Sequence, residues 1–128
     1  MQKGDVYEYA VLRVVPRVER GEFINVGVLL LCRRQKFGAV RYEVDEQRLK
    51  ALYPGIDLEV VKTQLEVFTK ISKCAPGSGL IGSLPLHERF RWLTANRSTI
   101  IQCSQVHVGL TLDAAATLDE LFEKLVKV

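Results

Sequence analysis

From Ile24 to Cys32 the chain is apolar at every position except Asn25 and Gly27. A strand with one wet face alternates apolar and polar residues, so a run like this requires a central strand covered on both faces. Its neighbours in sequence match that requirement. Val6 to Val15 places Val6, Ala10, Leu12 and Val14 on one face and Tyr7, Tyr9, Val11 and Val15 on the other, with Glu8 and Arg13 as the charged exceptions. Pro16 ends that first strand because it offers no ladder donor. Phe37 to Val44 alternates Val40, Tyr42 and Val44 against Ala39, Arg41 and Glu43, which predicts a third strand with one dry and one wet face. The links between the three are short, so they pair as an antiparallel meander. Gly27, inside the central run, marks a bulge or a close approach of another backbone.

The rest of the chain reads mainly as helix. Asp45 caps a short helix with Leu49 and Leu52 inward, stopped by Pro54-Gly55. Asp57 caps the longest one, in which Leu58, Val61, Leu65, Phe68 and Ile71 recur at steps of three or four. Residues 76–84, with Gly77, Gly79 and Gly82, read as a flexible linker. Pro85 opens a third helix running to about Asn96, with Leu86, Phe90 and Leu93 on its buried face. Thr99 to Cys103 and Val106 to Leu112 read as two further strands, the second broken at Gly109. A Thr117-x-x-Glu120 capping box opens the last helix, striped by Leu118, Leu121, Phe122 and Leu125. The expected architecture is α+β: a mainly antiparallel sheet, made of the N-terminal meander plus one or two later strands, with helices packed mostly on one face. A length of 128 residues fits a single domain spanning residues 1–128.

Charge and cysteine usage narrow the function classes. Residues 1–41 hold eight Lys/Arg and four Asp/Glu, a balance of +4, against −1 for the remainder. That bias permits an anionic partner but is sparser than the stripe of a typical nucleic-acid-binding domain. Cys32, Cys74 and Cys103 form no C-x-x-C pair and read as buried thiols. No phosphate-binding glycine loop, nucleophile elbow or metal-binding histidine motif is present, so no catalytic residue, metal site or cofactor is assigned. No signal peptide or membrane-length apolar run is visible, which makes a cytoplasmic location the expectation.

Two groups of residues are candidates for binding. The first is Arg13, Arg17, Arg20, Glu22, Asn25 and Gly27, around the charged link between the first two strands. Guanidinium forks there can grip carboxylate or phosphate, and Asn25 can hold the link in shape. The plain alternative is a solvated turn with Asn25 serving a bulge. The second group is Arg89, Arg91 and Trp92, where interleaved arginine and aromatic side chains can contact nucleic acid. Against this, the helical period assigns neighbouring Phe90 to the core.

Tyr9-x-x-x-Arg13-x-x-Pro16, Arg20-Gly-Glu-Phe-Ile-Asn25-Val-Gly27-Val28, Phe90-Arg-Trp-Leu-Thr-Ala95 and Leu118-x-x-Leu121-Phe122-x-x-Leu125-Val126 together resemble a bacterial family known as domain of unknown function 3037. The resemblance covers nearly the whole chain. It implies a small cytoplasmic bacterial protein, and a partner role in which a HipA-like kinase is one candidate. Three functions follow, in order of preference. The first is a non-catalytic interaction module that uses the charged link, as a monomer or homodimer. The second is a binder of nucleic acid or phosphoryl ligands through Arg13, Arg17, Arg20, Arg33 and Arg34. The third is an enzyme pairing Glu22 as base with Arg13 or Arg20.

Overall fold

The computed structural model describes residues 4–73, 79–95 and 100–127. Five antiparallel strands, β1 (Asp5–Val14), β2 (Ile24–Cys32), β3 (Phe37–Tyr42), β4 (Ile101–Cys103) and β5 (His107–Thr111), form one sheet. The meander is in place as β3-β2-β1. The far edge of β1 is shared: its first half pairs with β5 and its last residues pair with β4.

The helices are α1 (Glu46–Leu52), α2 (Leu58–Ser72), α3 (Gly79–Gly82), α4 (Leu86–Thr94) and α5 (Ala114–Leu125). Leu49 of α1 and Val61 and Leu65 of α2 pack with Ala10, Leu12, Val14 and Val26. Ile71 of α2 and Phe90 and Leu93 of α4 pack with Leu29 and Leu31. On the opposite face α5 is the one helix among the described residues, with Ala114, Leu118 and Phe122 against Val28, Leu30 and Cys32. The sheet is therefore an α+β core with its helices mostly on one face. Each fully buried aliphatic side chain contributes about 1.5–3 kcal/mol.

Gly27 sits at the device that lets β2 serve both layers. Leu12 lies opposite Gly27 but Arg13 lies opposite Asn25, so Val26 is an extra residue in β2. Because side chains alternate with a period of two, one extra residue inverts the phase. Ile24 and Val26 accordingly face the α1/α2 layer, whereas beyond the bulge Val28, Leu30 and Cys32 face α5.

Several expectations are corrected. The second face of β3 is only partly wet: Phe37 and Ala39 pack toward α5 and the Arg41 guanidinium lies 4.3 Å from the centre of the Phe122 ring, while Arg41 and Glu43 still reach solvent. Gly79–Gly82 is a helical turn, so that part of the expected linker is ordered. Residues 76–78, Cys74, Asn96 and Thr99 lie outside the described residues, while Cys32 and Cys103 are buried free thiols as expected. β5 pairs with β1 straight through Gly109, because the Tyr7 ring covers that glycine where a side chain would otherwise pack.

The N-cap of the last helix lies four residues before the expected one, Thr117. Asp113 is its N-cap and accepts from the Ala116 backbone N–H at 3.2 Å, while Thr117 lies inside the helix with its hydroxyl against that of Thr111. Asp113→Ala is therefore expected to lower stability by about 1 kcal/mol, and Glu120→Ala to leave it within about 0.5 kcal/mol. Urea unfolding of the two variants separates the two capping schemes.

Candidate functional site

The link between β1 and β2 is built by three local constraints. Pro16 stops β1. Val18–Arg20 forms a single 3-10 turn, and Gly21 ends it at φ 68°, a left-handed conformation that glycine adopts without steric cost. The turn brings the link back against the end of α1. Between them lies a cleft of about 250 Å³ lined by Pro16, Arg17, Arg20, Glu22, Leu52 and Tyr53.

Within the cleft, Arg20 Nε donates to Glu22 Oε1 in an exposed ion pair. That hydrogen bond holds the Glu22 carboxyl below the usual carboxylate range and raises the Arg20 guanidinium. Arg17 behaves differently. Its guanidinium lies over the Tyr53 ring, 5.1 Å from the ring centre, a cation–π contact. Among the described residues no carboxylate lies within ion-pair distance of it. The cleft thus presents one neutralised arginine and one available arginine.

The first group of candidates divides between two places. Arg17, Arg20 and Glu22 meet in this cleft. Arg13 does not join them; its guanidinium lies 4.2 Å from the centre of the Phe23 ring. Asn25 faces the α5 side, where Nδ2 donates to the Leu125 carbonyl at 3.2 Å and so ties the bulge to the end of that helix. It lines a separate cleft with Glu43, Arg48 and Lys127, in which Lys127 pairs with Glu43 at 2.8 Å. Arg13 Nε and Asn25 Oδ1 are buried without a hydrogen-bond partner among the described residues. Gly27 shapes the strand and lines neither cleft.

The second group is divided between the core and the surface. Arg89 is only 9% exposed, and its Nη1 donates to the Ile71 and Ser72 carbonyls at 3.1 and 3.2 Å, satisfying the end of α2. Arg91 pairs with Glu8 at 3.1 Å, and Trp92 packs against the core beside Phe90 and Leu93. Arg33 and Arg34 lie at the β2–β3 turn, separated from Arg17 and Arg20 by the nine residues of β2, roughly 30 Å of strand. The positive excess of the first 41 residues is therefore divided between the two ends of the sheet.

Tyr53 is a cleft residue that its sequence context does not reveal. Its place immediately after the Leu49–Leu52 stripe and before Pro54-Gly55 marks a helix terminus, but gives no sign of which loop folds onto it. No group of three or more His, Cys, Asp or Glu able to hold a metal ion occurs among the described residues, and no helix there is long and apolar enough to cross a membrane.

Residues 9–126 match the family model described as Protein of unknown function (DUF3037), and the chain belongs to that family. Neither the curated proteins nor the solved structures yield a match.

Proposed function

From that membership, which assigns no activity, we propose that the chain is a non-catalytic binding module. Its recognition surface is the cleft between the β1–β2 link and the end of α1, which takes a carboxylate- or phosphate-bearing segment of a partner protein. The observation that carries this reading is the Arg17 guanidinium, laid on the Tyr53 ring and free of any carboxylate among the described residues. The contact restrains the side chain, whose planar fork can then offer paired donors to an oxyanion. Arg20 lines the same mouth with its charge offset by Glu22, so Arg17 carries the recognition.

The competing functions are less well supported. An acid–base enzyme needs a carboxylate whose proton affinity is raised toward neutral pH. Glu22 is shifted the other way by Arg20, and Arg13 is absent from the cleft. A nucleic-acid binder needs a continuous basic track, and the arginines of this chain stand in two separated groups.

The test is fluorescence anisotropy against an array of acidic and phosphorylated peptides, with single-stranded DNA and RNA as parallel probes. A HipA-like kinase is the first whole protein to try. The expected result is a peptide ligand whose affinity falls at least about tenfold with Arg17→Ala, the loss of one charge-assisted bidentate contact. Binding of nucleic acid alone, weakening steeply with added salt, would overturn the proposal.

A further inference from the structure

The outer edge of the sheet carries a feature that the cleft does not use. Val106, Val108, Leu110 and Leu112 recur at every second residue along β5 and its flanks, and all four are exposed, as is Val6 on the adjoining strand. Val6 lies opposite Leu110 and Glu8 opposite Val108, so these side chains share one face of the sheet. Apolar residues at strand spacing normally face a covering layer. Here they are open, at 37–79% exposure.

Hydrogen-bond directions identify what fits this edge. Val11 accepts from the Ser104 N–H at 2.9 Å and Val15 donates to Ile100 at 2.7 Å, so the odd-numbered residues of β1 turn their backbone groups to the β4/β5 side. The antiparallel alternation then has Asp5, Tyr7 and Tyr9 bond Thr111, Gly109 and His107. The backbone N–H and C=O groups of Val108 and Leu110 therefore point away from β1. Among the described residues, no strand pairs with them. Outward ladder groups specify an extended strand as their occupant. Residues 106–112 also contain none of the charged residues or prolines with which edge strands are usually blocked.

We propose that β5 pairs antiparallel with β5 of a second copy of this chain, about a two-fold axis at Gly109. This register sets Val108 of one copy opposite Leu110 of the other, and those are the residues whose ladder groups face outward. His107 then lies opposite Thr111, and Val106 opposite Leu112. Every valine meets a leucine, and no like charges are brought together despite the net charge of +3. Gly109 meets its own copy as a non-hydrogen-bonded pair, the closer of the two antiparallel spacings. Self-complementarity of this kind favours a second copy over an unrelated strand.

Sedimentation velocity on the full chain tests this directly. The wild type is expected to sediment with about twice the monomer mass, as a closed two-fold pair. Val108→Lys places like charges across the seam and is expected to give monomer with unchanged far-ultraviolet circular dichroism. Leu110→Pro removes an outward N–H that bonds no strand among the described residues, and is likewise expected to give folded monomer. Should Leu110→Pro fail to fold, Val108→Lys decides. A monomeric wild type throughout the micromolar range, or a dimer that survives Val108→Lys, would overturn the pairing.

Discussion

Gly27→Ala is expected to destabilise the protein by about 3 kcal/mol, at the upper end of overpacking effects, and to lower its melting temperature by about 10 °C. A Cβ at this position would sit 2.7 Å from the Arg41 carbonyl oxygen and 2.7 Å from the Tyr42 Cβ, with Leu12 Cδ1 at 3.2 Å. Two of those three atoms are tied to the backbone or first side-chain carbon of β3, so no rotamer change relieves them. Either β3 moves off β2, breaking ladder bonds in the centre of the sheet, or the bulge reshapes and disturbs the phase inversion that lets β2 face both layers. Gly21 supplies the control. It has φ 68°, but no other atom lies within 4 Å of the place a Cβ would take, so Gly21→Ala is limited to the left-handed backbone cost of about 1–2 kcal/mol. Thermal unfolding of both variants tests the contrast. A Gly27→Ala protein melting within a degree or two of wild type would mean that β2 and β3 are not in the close approach described.

Arg89→Met is expected to cost about 3 kcal/mol, the loss of charge-assisted bonds together with the desolvation of abandoned carbonyls. Two carbonyls at the end of α2, those of Ile71 and Ser72, accept from a single guanidinium nitrogen of Arg89. A helix end buried without such donors leaves its last carbonyls unsatisfied, and a cation there also complements the helix dipole. Methionine fills much of the same volume, so the measured loss reports the polar contacts more than a cavity. Arg91→Ala, two residues along the same helix, removes the half-exposed pair with Glu8 and a distant contact with the Phe90 ring, and should change stability by less than about 1 kcal/mol. Urea midpoints for the two variants would distinguish a buried helix cap from a surface charge. Equal effects would show that Arg89 does not brace α2.

The features of this fold that are legible in the sequence are those decided within a few residues. The bulge at Gly27 and the double burial of β2 can be read from one apolar run and one glycine. Asp45 and Asp57 cap α1 and α2 as their positions before apolar stripes predict, because an N-cap bonds amides only two or three residues away. The cap of α5 is the exception, because Thr117-x-x-Glu120 fits the local pattern of a capping box equally well. The structure prefers Asp113, whose backbone N–H is itself held by the Thr111 hydroxyl at the end of β5.

The candidate site is legible as a set of residues but not as an arrangement. Charged residues around Gly21 mark the link as a surface feature, and a charged link always admits several folds of its side chains. What parts Arg13 from Arg17 and Arg20 is the partner each one meets: the Phe23 ring for Arg13, the Tyr53 ring for Arg17 and Glu22 for Arg20. Tyr53 is far along the chain and reaches the link only because α1 packs on the sheet. The burial of Arg89 is hidden for the same reason, since the carbonyls that hold it are 17 and 18 residues upstream.

By itself the sequence determined the strand meander, the helix stripes and the α+β class, because hydrophobic period, turn residues and caps act over distances of a few residues. Only the tertiary structure decided which arginine is spent on packing, which on an ion pair, and which stands available in a cleft. Those outcomes depend on contacts between distant segments, and a contact made by packing leaves no periodic trace in the chain that makes it.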